Sequence, residues 1–278
     1  MGDEIYLIVN GDDFGVHHAA NAGIIKAFTE GILTTASIIT PTPWFAEAVM
    51  LAKEHGLPLG VELAISCEYD NYRFGPLTRA PQLSPDGKGY FFPKSPNTIQ
   101  PRHAAQVSAE AVAQVERLVD AGIRPVYFHA HMGGIPRWDG AFSEAVHTLC
   151  DRFQVPWKVK SDTSSDAPMQ LVINASSGLT RPTGFEEKKQ LLLETLERMQ
   201  PVINWLGSHP ATDTEELRHA GLEQEWGAQV RSSDVQALCA PEVRRRVEEL
   251  GIRLIDAGAA WEMRDDSMAR PTHGELPK

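Results

Sequence analysis

Two adjacent carboxylates, Asp12 and Asp13, follow an apolar run in the segment Ile8-Val9-Asn10-Gly11-Asp12-Asp13-Phe14-Gly15, and a helical pattern begins within a few residues. A parallel β/α fold builds its chemistry at that point, outside the carboxyl end of a strand. A carboxylate pair there can divide labour: one holds a divalent cation, and its neighbour takes a proton from the attacking water. The competing reading is that one of the two merely caps the following helix, as Asp often does.

Three more apolar runs end in groups that could meet this pair. In Gly60-Val61-Glu62-Leu63-Ala64-Ile65 a period of two puts Val61, Leu63 and Ile65 on one face and Glu62 on the other. With the apolar face under helices, Glu62 points into the barrel, where it must be ion-paired, protonated or bound to a cation. A structural ion pair with an arginine competes with the cation reading. The same arithmetic puts His129 and His131 of Tyr127-Phe128-His129-Ala130-His131 together, which fits a metal site; core histidines bonded to carbonyls are the alternative. Trp205-Leu206-Gly207-Ser208-His209-Pro210 places His209 at another strand end, held extended by the proline. Asp12, Asp13, Glu62, His131 and His209 would then all converge on one barrel mouth.

The elements that must position them alternate along the chain. Strand-like runs cover Ile5–Asn10, Thr35–Thr40, Leu59–Ile65, Pro125–His131, Val155–Val159, Val202–Gly207 and Ile252–Ile255. Amphipathic helical patterns lie between them, among them Ala104–Ala121 closed by Gly122, Glu186–Met199, and Glu242–Leu250 opened by Pro241 and closed by Gly251. Repeated strand–helix units mean an α/β fold with a parallel sheet, and about seven strands favour closure into a single TIM-barrel-like (β/α) barrel over residues 1–265. The stretch 66–102 breaks the rhythm: it is rich in Pro and Gly and carries Tyr69, Tyr72, Phe74, Tyr90, Phe91 and Phe92. It reads as a substrate wall or lid, or else as a satellite hydrophobic cluster. Residues 266–278 read as a frayed polar tail.

Over 278 residues, 42% hydrophobic and 23% charged content is ordinary for a globular protein, and a net charge of −11 argues against nucleic acid or an anionic membrane as partner. Cys67, Cys150 and Cys239 are widely spaced without a CxxC pattern, so neither a zinc knot nor a disulfide framework is expected. The chain has no apolar run long enough to span a bilayer and no signal-like start, and a cytoplasmic location is the expectation.

These motifs together resemble the YdjC-like (ChbG/HpnK) carbohydrate deacetylases over nearly the whole chain. Val9-Asn10-Gly11-Asp12-Asp13-Phe14-Gly15 is similar to the family's N-A-D-D-F-G opening. Asn21 to Pro43 matches the following helix and strand, and Gly60-Val61-Glu62-Leu63 aligns with G-V-H-L. Tyr72-Arg73-Phe74-Gly75-Pro76-Leu77, His131-Met132-Gly133-Gly134 and His209-Pro210 match later motifs. The resemblance implies a distorted β/α barrel, one divalent ion and hydrolytic removal of acetyl groups from N-acetylated sugars, with a small carbohydrate as partner and a homodimer left open. Carried over, Asp13 and His131 are metal ligands, Asp12 the general base and His209 the candidate general acid; Tyr72, Arg73, Phe74 and Trp138 are candidate substrate contacts.

Two departures stand out. Glu62 replaces the family's first histidine ligand, and His129 replaces an aspartate two residues before the second. A set of Asp13, Glu62 and His131, with His129 as a fourth ligand or a donor to Glu62, is oxygen-rich. Magnesium, manganese, cobalt or iron(II) suits it better than a histidine-rich set would, with zinc a further candidate. The exchange also leaves open a different bond, a non-sugar amide, or an inactive sugar-binding homologue.

Overall fold

Among the described residues, nine strands in parallel pairing build the main sheet and two more form a separate pair. In chain order the strands are β1 (Tyr6–Phe14), β2 (Thr35–Ile38), β3 (Leu59–Leu63), β4 (Ser66–Cys67), β5 (Phe92–Pro93), β6 (Phe128–Ala130), β7 (Trp157–Lys160), β8 (Gln170–Ile173), β9 (Ala175–Gly178), β10 (Ile203–Ser208) and β11 (Arg253–Leu254). The helices are α1 (His18–Glu30), α2 (Phe45–His55), α3 (Ala104–Asp120), α4 (Ala141–Phe153), α5 (Phe185–Glu197), α6 (Glu215–His219), α7 (Ala228–Leu238), α8 (Pro241–Glu249) and α9 (Ala257–Glu262). The computed structural model describes residues 4–84, 86–93, 103–133, 141–161, 167–179, 184–220 and 226–263.

The ladder runs β8-β7-β6-β3-β2-β1-β10-β9, with β11 added beside β1. Its two ends, β8 and β9, are separated in the chain by Asn174 alone. One extended segment, 170–178, therefore pairs first with β7 and then with β10, and Asn174 N–H donates to Ile203 O at the changeover. Counted this way the staves are β1, β2, β3, β6, β7, the split segment and β10, a barrel-like ring of parallel strands.

Six of the seven expected strands lie in this ring. The strand expected at Ile252–Ile255 is present but short: β11 is a two-residue, exposed strand beside the ring that pairs Tyr6 and Leu7 of β1. The seventh stave is the 170–178 segment, whose second half, Asn174-Ala175-Ser176-Ser177-Gly178, carries turn-forming residues. Its strand state comes from hydrogen bonding to β10, a tertiary effect that outweighs local preference.

The long aromatic stretch is fastened to the body over its described part. β4 and β5 pair with each other, while Tyr69, Phe74, Leu83 and Phe91 are buried in the main core. Tyr72 Oη donates to Val16 O at 2.6 Å. These residues are thus part of the main core rather than a separate cluster. Residues 85 and 94–102, the expected contact Trp138 and the tail 266–278 lie outside the described residues.

Neither Asp12 nor Asp13 caps α1, which is the correction to the capping alternative: both lie within β1, and His17 is the N-cap. His17 Nδ1 accepts from Ala20 N–H at 2.9 Å, so that nitrogen must be unprotonated. Burial, and next the Arg231 guanidinium, hold its pKa down to about 3 from an ordinary 6.5. Below pH 6.5 the unfolded chain takes up a proton that the folded chain refuses, so this contribution to stability falls as pH drops towards the folded value. Linkage puts the loss from this one group at about 2 kcal/mol between pH 6.5 and 5. His17→Asn keeps a capping acceptor and removes the titrating ring. Its urea midpoint should fall less than that of the wild type between pH 7 and 5, and equal falls would refute the assignment.

Candidate active site

Alternation along the staves sorts the barrel interior into two layers. Tyr6 and Ile8 of β1 join Tyr127, Leu171, Ile173, Ile203 and Trp205 in an inner apolar cluster that Ala257 and Ala260 of α9 close, whereas Leu7 and Val9 face the outer core. Further along the same strands come Asn10, Asp12, Ser37, Glu62 and His129, a polar layer at the carboxyl ends. Tyr127 links the layers by donating to Asn10 Oδ1 at 2.6 Å. A Cβ on Gly60 would lie 2.3 Å from the Tyr127 ring, so only glycine leaves room for this crossing.

Adjacent residues of a regular strand point to opposite faces, yet Asp12 and Asp13 both reach the mouth. The β1–β2 register shifts between Gly11 and Phe14, and Asp13 has φ of 69°. A bulge with one left-handed residue re-aims the second carboxylate, and Asp is among the residues that tolerate that conformation.

Asp12 Oδ1 accepts from Asn10 Nδ2 at 2.7 Å and Ser37 Oγ at 2.5 Å, with His129 Nε2 at 3.3 Å. Oδ2 faces His209 Nε2 at 3.9 Å. Burial alone would raise its pKa; His129, His209 and Lys158 together hold it well below the usual carboxylate range. Half-buried Lys158 has its Nζ 4.3 Å from the Trp205 ring centroid. Burial lowers the Lys158 pKa while Asp12 and Glu62 oppose the shift.

Asp13 is divided differently. Its Oδ2 accepts from Arg231 Nη1 at 2.6 Å, and its backbone N–H donates to Glu62 Oε2 at 3.2 Å. Against the cost of burial, Arg231 is the chief group holding its pKa at about 2. Oδ1 is buried without a hydrogen-bond partner and lies 3.7 Å from His131 Nδ1. Glu62, 3% exposed, accepts from Ser37 Oγ at 3.0 Å through Oε2 and meets His131 Nδ1 at 2.8 Å through Oε1. Glu68 Oε2 meets the other ring nitrogen, Nε2, at 2.9 Å. Burial disfavours the His131 imidazolium, but the two glutamates raise its pKa well above the usual value.

Asp12, Asp13, Glu62, His129, His131 and His209 are therefore brought together. Arg73 and Phe74 are not: Arg73 bonds Asp86 and Phe91 O and stacks on Tyr90, and Phe74 packs on Phe91. The Tyr72 hydroxyl is spent on Val16 O. These residues, expected as substrate contacts, have side chains that hold the loop together. Sequence reasoning missed Arg231, Glu68, Lys158 and Trp226. Arg231 arrives on α7, and Glu68 lies just beyond β4, where no periodicity marks a direction.

The donors fit a cation on an observation independent of any motif. Asp13 Oδ1 and His129 Nε2 are buried polar atoms without hydrogen-bond partners. Each belongs to a group, Asp13–Glu68–His131 or Asp12–Glu62–His129, whose ligand atoms lie within 4.8 Å of one another. Beside them, His209 is held by its backbone N–H, which donates to Asp234 Oδ2 at 2.8 Å, and its ring meets half-buried Trp226 edge-on at 5.3 Å.

The family model described as YdjC-like protein matches residues 6–249. The chain belongs to the YdjC-like family. A carbohydrate deacetylase from Brevibacillus brevis is 29% identical over 259 residues, covering 90% of this chain and 97% of that relative. A solved Enterococcus faecalis V583 structure, described as a candidate cellobiose-phosphate cleavage protein, has a TM-score of 0.74 at 22% identity, covering 92% of this chain and 98% of that one. A mutant of a Bacillus subtilis peptidoglycan deacetylase has a TM-score of 0.51 at 10% identity, covering 94% and 91%. At those identities the two structures bear on the fold, which they share. In this YdjC-like chain, no helix among the described residues is long and apolar enough to cross a membrane.

Asp234 is itself held by a fully buried lysine: Lys188 Nζ bonds Asp234 Oδ1 at 2.5 Å and Leu179 O at 3.0 Å. Lys188→Met would strand a buried carboxylate, a change that costs about 3–5 kcal/mol. Urea denaturation should read that loss, and a loss below about 1 kcal/mol would mean that the pair behaves like a surface bridge.

Proposed function

We propose that this protein is a divalent-metal-dependent hydrolase that removes the acetyl group from an N-acetylated sugar or small glycoside. The observation carrying the reading is the convergence of Asp12, Asp13, Glu62, His131 and His209 at one barrel mouth, in a chain whose relative from Brevibacillus brevis is named a carbohydrate deacetylase.

Asp13 and His131 would hold the cation, completed by a glutamate of the mouth, Glu62 or Glu68. A divalent ion there supplies Lewis acidity, polarising an amide carbonyl and acidifying the attacking water. Asp12 presents Oδ2 as the general base while Asn10 and Ser37 fix its other oxygen. Water adds to the carbonyl carbon and its proton passes to Asp12; the C–N bond then breaks as His209 gives a proton to the departing amine, leaving acetate and a free amino sugar. Asp234 fixes the backbone of that histidine, and the half-buried Trp226 ring beside it offers an apolar face for a sugar ring.

A second reading keeps the ion but changes the bond. It is favoured by Glu62 standing where the family resemblance leads one to expect histidine, because added negative charge weakens the Lewis acid. Acetate release from N-acetylglucosamine or chitobiose with manganese or cobalt present separates the two, since the second reading gives none.

Asp12→Asn should lower kcat by roughly 10²–10⁴-fold while retaining the ion. Asp13→Ala and His131→Ala should both lose the ion in elemental analysis. Equal metal content in all three variants sinks the division of roles.

A further inference from the structure

We infer that Glu68 completes the cation site with Asp13 and His131, and that Glu62 is a positioning residue acting through His131. This rests on the metal-dependent reading above and goes beyond the family position, which points to residue 62.

An imidazole that ligates through one nitrogen donates its other N–H outward, commonly to a carboxylate. The two His131 nitrogens face different glutamates, Nδ1 meeting Glu62 at 2.8 Å and Nε2 meeting Glu68 at 2.9 Å. Glu62 is already committed: Oε1 takes His131 Nδ1, and Oε2 takes both Ser37 Oγ at 3.0 Å and the Asp13 N–H at 3.2 Å. Among the described residues, the hydrogen bonding of the Glu68 carboxylate is to His131 alone. Glu68 is thus free to turn an oxygen to an ion at Nε2, with Glu62 as the carboxylate behind the ring.

Asp13 supplies the independent observation. Arg231 pins Oδ2 at 2.6 Å, which leaves Oδ1 buried without a hydrogen-bond partner beside the His131 ring, 3.7 Å from its Nδ1. One donor atom each from Asp13, Glu68 and His131 lies within 4.8 Å of the others, a span that a cation with ligand distances of about 2.0–2.6 Å closes with small side-chain shifts. The backbone around Glu68 is fixed rather than loose, because Cys67 pairs with β5, Tyr69 is buried, and Tyr72 is tied to Val16. The aromatic stretch then contributes a metal ligand to the mouth.

The test is calorimetric titration of the full chain with manganese(II), alongside the visible spectrum of the cobalt(II) form. Wild type should bind one ion. Glu68→Gln should weaken binding at least 100-fold and alter the cobalt spectrum. Glu62→Gln still offers an oxygen to His131 Nδ1, so its loss should be smaller than that of Glu68→Gln, about tenfold, and it should keep the spectrum. Glu68→His restores a ligand at the same place and should recover binding that Glu68→Gln loses, which separates loss of a ligand from loss of fold. Wild-type affinity in Glu68→Gln, or a larger loss in Glu62→Gln, overturns this inference alone. A wild type that releases acetate without taking up any ion overturns the metal-dependent reading, and this inference with it.

Discussion

Everything at the mouth is arranged around one electrostatic problem. Asp12, Asp13, Glu62 and Glu68 are crowded among the ends of β1, β3 and β4, where water is scarce and ionised carboxylates are expensive. The fixed cations facing them are Arg231 on Asp13 and Lys158 beside Asp12 and Glu62. Two basic side chains thus face four acidic ones, and His131, with a glutamate at each ring nitrogen raising its pKa, stands between them as a further basic group.

The fold makes such crowding affordable by keeping the rest of the interior dry. Tyr6, Ile8, Tyr127, Ile203 and Trp205 fill the barrel below the polar layer, and α9 closes its end. A chain of hydrogen bonds from Tyr127 through Asn10 to Asp12 joins this plug to the chemistry. The 170–178 segment completes the ring by belonging to two pairings in turn, which shapes the wall beside Lys158. A distortion in one stave and a bulge in another do complementary work, since the bulge in β1 brings two consecutive aspartates to the same mouth.

What could be read from the chain follows from the range of the forces involved. Periodicity located six staves and the helices later seen as α3, α5 and α8, because burial of one face imprints a period of two or 3.6. The same period placed Glu62 on the inward side and put His129 on one face with His131. Asn174 to Gly178 was illegible as a strand because its conformation is imposed by β10. Arg231 and Glu68 were illegible as site residues for a related reason. One projects from a helix whose residues are buried nearly all round, and the other sits in a segment without regular structure, so no pattern announces a direction. Tyr72, Arg73 and Phe74, singled out by the motif, have side chains that tie the loop together and to the body.

Asp12 and Glu62 set two carboxylates side by side in the polar layer, and their neighbours answer the repulsion between them. Ser37 Oγ stands between the two, 2.5 Å from Asp12 and 3.0 Å from Glu62, so that one hydroxyl proton is shared by both. The His129 ring lies on the same pair, 3.3 Å from Asp12 and 3.8 Å from Glu62, and Lys158 adds a positive charge beside them. The layer therefore holds its two carboxylates through groups that each face both, and a change at either carboxylate is felt at the other.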